Sequence, residues 1–411
     1  MMTATAPDSE LSLYHLLEPE TLADPYPLYA RLRTEDPVHW DPYLHAWVVT
    51  RYADAVRVLT HFRSERMPRP EELAAKDLGE LDPIAQILVR QMIFMDPPSH
   101  TRIRALAAAA FTPARVEKLR AHIQEITDGF IDAVAPAGRM DIIADLADLL
   151  PTTVTAELMG IPVADRDRLK ALAKRFSEML GNFQHNPGRA SIMLQTVEEL
   201  TAYFRDQLKE QEIRPREGVV QTLMNAEIDG DRLTREEVIA NCIITLTGGL
   251  ETTTNLIGNG WLTLLRHPRE FARLAADPAL LPSAIEELLR FESPIQKTAR
   301  LAPGDLELDG KQIRKSDAVI AVIGAANRDP ARFPDPDSLD LARTDNRHLA
   351  FGWGAHFCFG APLARVEGMI VFSTMLRRLR HIALASPAPR WQENTTFRGL
   401  EALPITFELA A

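Results

Sequence analysis

Apolar residues recur at helical spacing along most of this chain. Val116 to Val134, Leu194 to Glu212, Pro282 to Phe291 and Arg365 to Leu379 place them three and four apart with charges between, and predict amphipathic helices. A fifth helix is predicted from Thr234 to Arg266. It opens on Thr234-Arg235-Glu236-Glu237, where the threonine can accept from the first turn and Glu237 can reach back, and it closes before Pro268. Extended, β-branched stretches are confined. Val38–Trp40 and Ala46–Thr50, around Pro42, predict a hairpin. Lys297 to Ile323 is broken by turns at Pro303–Gly304 and Asp309–Gly310, and Leu403 to Leu409 closes the chain. Pro330 to Asp345 predicts an irregular ordered loop. With no repeat, low-complexity tract or linker, the expected fold is mainly α with a minor β region (α+β). It is expected as a single domain over 1–411, with its β material at 38–50, 297–323 and 403–409.

Composition narrows the function. A formal net charge of −11 argues against a nucleic-acid footprint, which shows as a basic face; it still allows a small basic patch that docks an acidic protein. Two cysteines, Cys242 and Cys358, are too few for a four-cysteine zinc site or a disulfide framework. Met1 to Glu10 has neither the positive charge nor the apolar run of a signal peptide. No apolar run is long enough to span a membrane. A soluble cytoplasmic protein is expected.

The segment richest in chemistry is Phe351-Gly352-Trp353-Gly354-Ala355-His356-Phe357-Cys358-Phe359-Gly360, directly before Ala361–Pro362 and a helical stretch. Proline loses nothing in a helix's first turn, so Cys358 falls just N-terminal to a helix. The dipole there favours the thiolate, against a free value of about 8.5. Gly352, Gly354 and Gly360 permit turns and close approach, and Phe351, Phe357 and Phe359 supply an apolar wall. A charged sulfur in such a place needs a partner, for which a metal is suited. An inert cysteine buried in a glycine-rich turn would carry the same spacing. A dinucleotide loop is excluded, because its last glycine is Phe357 here.

Within the long predicted helix, Gly248-Gly249-Leu250-Glu251-Thr252-Thr253 combines poor helix formers with an acid and alcohols. Each glycine costs about 1 kcal/mol relative to alanine. Such a helix either kinks for packing or opens to admit something, and a threonine hydroxyl can take the carbonyl one turn back. Glu287 and Arg290 lie three apart on one helix face among apolar neighbours. His100 and Arg104 lie four apart after Asp96-Pro97-Pro98.

The cysteine loop resembles the haem-binding loop of the cytochrome P-450 family, F-G-x-G-x-H-x-C-x-G, at all six fixed positions of ten. The resemblance runs from about Asp24 to the C-terminal strand. It implies the family's triangular helical prism with small β-sheets, with haem b (iron protoporphyrin IX) held by Cys358 in the loop that includes Phe351, Gly352 and Gly360. It further implies Thr252 and Glu251 as the alcohol and acid of dioxygen activation, and His100, Arg104, Arg300 and His356 as propionate ligands. Glu287, Arg290 and Arg343 become a structural ion-pair set. Ile244, Thr245, Gly248, Gly249, Ile295, Gln296 and Phe397 become the substrate pocket, roofed by Asn182 to Pro187. The implied function is a bacterial class I monooxygenase that hydroxylates or epoxidises a lipophilic secondary metabolite, such as a polyketide or terpenoid. It would be a monomer fed by a ferredoxin and ferredoxin reductase, with Arg102 and Arg365 as docking contacts. The alternatives are a peroxide-driven peroxygenase of the same fold, whose relatives lack the acid–alcohol pair, and a non-catalytic haem-thiolate sensor or carrier. The chain departs from the family pattern at Gly248, Leu250, Trp353, Phe359 and Ala105.

Overall fold

The computed structural model describes residues 11–410 except 76, 109–110, 183–189, 229 and 387–388. Eleven strands occur among these residues: β1 (Val38–Asp41), β2 (Ala46–Val49), β3 (Arg139–Asp141), β4 (Glu227–Ile228), β5 (Asp231–Arg232), β6 (Lys297–Leu301), β7 (Leu306–Leu308), β8 (Lys311–Ile313), β9 (Ala318–Val322), β10 (Leu379–Leu384) and β11 (Pro404–Leu409). Two compact units make up the chain. One comprises Met1–Arg63, Gly258–Cys358 and Ser386–Ala402; the other comprises Ser64–Ile257, Phe359–Ala385 and Leu403–Ala411.

The first unit is built on a four-stranded sheet in the order β1-β2-β9-β6. β1 and β2 form the predicted hairpin, β2 runs parallel to β9, and β9 is antiparallel to β6. Period-two side chains give the sheet two apolar faces. Val319 and Ala321 pack with Val49, Ala55, Leu59 and Leu349. Ile320 and Val322 pack with Leu13, Leu16, Tyr29 and Leu32. The turn at Asp309–Gly310 joins β7 to β8 with φ of 48° and 75°, a two-residue hairpin that glycine and aspartate tolerate best.

The second unit is mostly helical. Its core gathers Ile103, Phe176, Phe204, Ile243 and Leu246 from four helices: Ser99–Ala108, Arg166–Asn182, Ala190–Ile213 and Arg235–Arg266. The last of these is 32 residues long. Its capping box closes as predicted: Glu237 N–H donates to Thr234 Oγ1 at 3.2 Å, and Thr234 N–H donates to Glu237 Oε2 at 2.8 Å. Helical structure continues through Gly248 and Gly249, so the glycines do not break it. The other predicted helices appear as Pro113–Val134, Ala190–Ile213, Leu281–Phe291 and Ala361–Arg378.

Four strands escape the sequence pattern: β3, β4, β5 and β10. β10 begins at Leu379, where a helix end was expected, and the C-terminal strand pairs with β10 and β3 in the order β10-β11-β3. A register shift between Arg380 and Ala383, with His381 at φ 51°, destroys the period-two signal of β10. β3 is too short to carry one. No helix among the described residues is long and apolar enough to cross a membrane.

Candidate functional site

In the first unit the cysteine loop is held by its own backbone. Cys358 N–H donates to the Phe351 carbonyl at 2.8 Å, and the Phe351 and Phe357 rings lie 6.2 Å apart. Gly352 and Gly354 have φ of 72° and 68°, which L side chains rarely adopt. A Cβ on Gly354 would touch the Leu59 carbonyl and Thr60 at an ordinary contact distance of 3.5 Å, so it is the backbone conformation and not space that asks for glycine. Gly360 differs: at φ −79° it needs no glycine for its conformation. His356 ends the short turn Gly354–His356 and is half-buried. Cys358 is exposed, as is Phe357 at 38%. A thiol and an apolar ring, both exposed on a turn whose left-handed positions are filled by two glycines, suit a flat apolar group carrying a thiophilic metal.

The register of β6 and β9 sets Arg300 opposite Val319 and Thr298 opposite Ala321, so both stand on that sheet face. Arg300 is 5% exposed and donates to Thr298 Oγ1 at 3.1 Å and the Ala299 carbonyl at 2.8 Å. Ile295 forms an isolated bridge with Phe397, and both are half-buried. Gln296, expected in the same wall, is turned into the fold. It donates to the Ser293 carbonyl at 2.7 Å, and its Oε1 blocks any Cβ at Gly324.

Glu287 accepts from Arg290 Nε and Nη2, each at 2.8 Å, and both side chains are wholly buried. Arg343 joins at 3.1 Å, Asn346 at 3.1 Å and the Asp340 N–H at 3.0 Å. Arg290 also donates to the carbonyls of Asn327, Pro336 and Ser338. Every oxygen of this buried carboxylate is paired, as the cost of burying a charge demands. The set ties the irregular segment before the cysteine loop to the helix Leu281–Phe291.

In the second unit, His100 and Arg104 share the helix Ser99–Ala108. His100 is 2% exposed; burial first, and then Arg104, push its pKa down, against Asp96. Arg104 lies 5.9 Å from the centre of the Phe359 ring, which stacks edge-on to Phe111 at 4.6 Å. Arg102 is already engaged. It bonds Asp231, Glu237 at 2.8 Å and the Arg232 carbonyl, clasping its helix to β5 and the start of the long helix.

On the long helix, Gly248 is exposed between buried Thr247 and Leu250, and a Cβ there would meet nothing within 4 Å. Ile244, Gly248 and Thr252 are four apart, so one stretch of an otherwise buried helix is uncovered. Gly249 is different, since its Cβ would lie 2.9 Å from Thr155 Oγ1. Thr245 is buried at 7%. Thr252 Oγ1 donates to the Gly248 carbonyl at 2.8 Å, which leaves its lone pairs available as acceptors. Glu251 is held up to about 7, mainly by burial, although Ser177 and Lys174 pull the other way. Its Oε2 has no hydrogen-bond partner among the described residues.

Buried ionisable groups that escaped sequence reading include Glu367 and Lys297. Glu367, 1% exposed, is pushed up to about 8 by burial, against a hydrogen bond from Thr253. Lys297 is considered below. Neither stands out in the sequence: Arg365 lies two residues before Glu367, and Lys297 sits between Gln296 and Thr298 with Arg300 close by. Residues 183–187 of the expected roof lie outside the described residues.

A cytochrome P450 family model matches residues 48–404, and the chain belongs to the cytochrome P450 family. Its fold, mainly helical with small sheets, is that of the solved members. Like its relatives it is an oxidoreductase, a monooxygenase whose cofactor is haem b with thiolate ligation. It is 40% identical over 398 residues to the cytochrome P450 monooxygenase PikC of Streptomyces venezuelae, covering 93% of this chain and 91% of that protein. Among solved structures it matches P450BioI in complex with an acyl carrier protein ligated to hexadec-9Z-enoic acid. There the TM-score is 0.88 at 34% identity, over 95% of this chain and 99% of that one. It also matches myxobacterial CYP267B1 in complex with myristic acid, with TM-score 0.87 at 40% identity, over 96% and 99% of the two chains.

Proposed function

We propose that this monooxygenase hydroxylates or epoxidises a lipophilic small molecule, with Cys358 as the axial ligand of the haem iron. The observation that carries the reading is a carboxyl poised near neutrality, Glu251, next to a threonine whose hydroxyl is bonded to Gly248 beside an uncovered stretch of helix. When bound, haem supplies the redox chemistry that activates dioxygen, and a thiolate ligand favours O–O cleavage.

The remaining steps belong to the chain. His100 and Arg104 on one helix, and Arg300 and His356 in the first unit, would hold the two propionates by their positive charge and N–H donors. Phe351, Gly352 and Gly360 shape the loop that carries Cys358. Glu251 takes a proton from solvent and passes it on, because at about 7 both of its states are populated near neutral pH. Thr252 Oγ1 accepts and orients that proton, its own hydrogen being committed to Gly248.

The residues we assign to the substrate from the family resemblance, Ile295 and Phe397 in the first unit and Ile244, Thr245, Gly248 and Gly249 in the second, include few orienting polar groups, which suits a lipophilic guest. The carrier-bound hexadec-9Z-enoic acid and the myristic acid of the two solved relatives support that class, and PikC supports a monooxygenase role. A polyketide, terpenoid or acyl chain fits that class. We assign the electrons to an acidic ferredoxin and its reductase. Arg365, on the helix after the cysteine, and Arg102, whose charge also meets Asp231 and Glu237, are the docking contacts we assign. We place the protein in the cytoplasm as a monomer of one domain.

The test is the carbon monoxide difference spectrum of the reduced, haem-loaded protein. The wild type should show a strongly red-shifted Soret band, and Cys358→Ser should lose it while still binding haem. A variant that kept the band would remove Cys358 from the ligand position.

A further inference from the structure

Lys297 is the first residue of β6, and the mechanism above does not use it. Its register partner is Val322, so its side chain stands on the face packed against Leu13, Leu16 and Tyr29, opposite to Arg300. It is 6% exposed, and burial alone pushes its amine down to about 7. A lysine on a core face with no carboxylate beside it is costly. What it holds is a single point on another segment: Nζ donates to the Thr395 carbonyl at 2.9 Å and to Thr395 Oγ1 at 2.5 Å.

That segment is the one that presents Phe397. Residues 394–398 lie antiparallel to 294–297. Arg398 N–H donates to the Pro294 carbonyl at 2.8 Å, and Gln296 N–H donates to the Thr396 carbonyl at 2.8 Å. Asn394 Oδ1 accepts from the N–H groups of Thr396 and Phe397 at 3.0 and 2.9 Å, which turns the chain just before the Phe397–Ile295 bridge. To the two backbone bonds of this pairing Lys297 adds two more, both at Thr395.

We propose that Lys297 is a specificity-determining positioning residue: by tying Thr395 to β6 it fixes the distance of Phe397 from Ile295, and so the width of the apolar wall that meets the substrate. The inference rests on the reading that Phe397 and Ile295 form part of that wall. It predicts that loosening the tie changes which ligands fit while leaving haem ligation intact.

The experiment uses haem-loaded protein and two azoles that ligate haem iron through nitrogen: imidazole, too small to reach the wall, and 4-phenylimidazole, which reaches it. Dissociation constants are taken from the Soret shift for wild type, Lys297→Met, Thr395→Ser and Phe397→Ala, and amide exchange is followed across 391–399. Lys297→Met should weaken 4-phenylimidazole at least fivefold, hold imidazole within twofold, and speed exchange across 391–399. Thr395→Ser, which keeps both acceptors, should behave as wild type. If Phe397→Ala loses the phenyl preference but Lys297→Met keeps both preference and slow exchange, the inference is overturned. If Phe397→Ala leaves the preference untouched, the wall assignment itself fails. Should Lys297→Met not load haem, Thr395→Val removes one of the two acceptors and must shift the same ratio in the same direction.

Discussion

Glu251 shows at the scale of one residue how burial turns an ordinary acid into a working one. Its usual value of 4.5 rises to about 7 because the ionised form loses water that the protein replaces only in part. Linkage gives the sign. Below about 4.5 the group is protonated folded or unfolded and costs nothing. As pH rises toward 7 the unfolded chain releases this proton more readily than the folded one, so stability falls across that window and stays lowered above it. Glu251→Gln should therefore gain thermal stability relative to wild type as pH is raised from 5 to 8, and lose roughly 10²-fold in kcat. Paired melting curves and rate profiles against pH check this, and a variant with wild-type turnover would take Glu251 out of proton delivery. The acid and its alcohol were legible in the sequence as Gly-Gly-Leu-Glu-Thr-Thr, but the state of the acid was not. Desolvation belongs to the packed surroundings, which here include Ser177 and Lys174 from a helix over seventy positions away.

At the scale of an element, the long helix tolerates two adjacent glycines for opposite reasons. Gly248 faces open space, whereas Gly249 lies against Thr155. Gly248→Ala should add about 1 kcal/mol of helix stability, yet place a methyl on the uncovered face and weaken bulky haem ligands. Gly249→Ala should destabilise, because Thr155 must move to accept it. Denaturant melts of the two variants, with 4-phenylimidazole titrations of the first, separate the roles; equal effects would contradict the assigned faces. Helix positions were readable because periodicity and the Thr234–Glu237 box are local signals. β10 was not, since its bulge at Arg380 to Ala383 breaks the alternation that marks a strand. β3 was not either, because three residues acquire strand character only from the partner they pair with.

Across the whole molecule, stability rests on groups distant in sequence. Arg290 satisfies Glu287 and three carbonyls of the segment 327–338, so Arg290→Leu leaves a buried carboxylate short of its main partner. A loss of about 3–5 kcal/mol follows, read as a lowered midpoint in denaturant. An unchanged midpoint would mean that the charge is not buried in solution. The chain passes between its two compact units at 63, 257, 358, 385 and 402, and the long helix continues unbroken through the second of these. We therefore expect circular dichroism and tryptophan fluorescence to report one coincident transition. The sequence by itself determined the five helices named at the outset, the β1–β2 hairpin and the Asp309–Gly310 turn, the family and the residue types of the chemistry, because period, turn residues and a ten-residue loop are properties of neighbours along the chain. Only the tertiary structure decided that Gln296 turns inward, that Arg102 spends its charge on Asp231 and Glu237, that Glu251 sits near neutrality, and that Lys297 reaches Thr395. Those outcomes depend on which distant groups share a face and how much water each one loses.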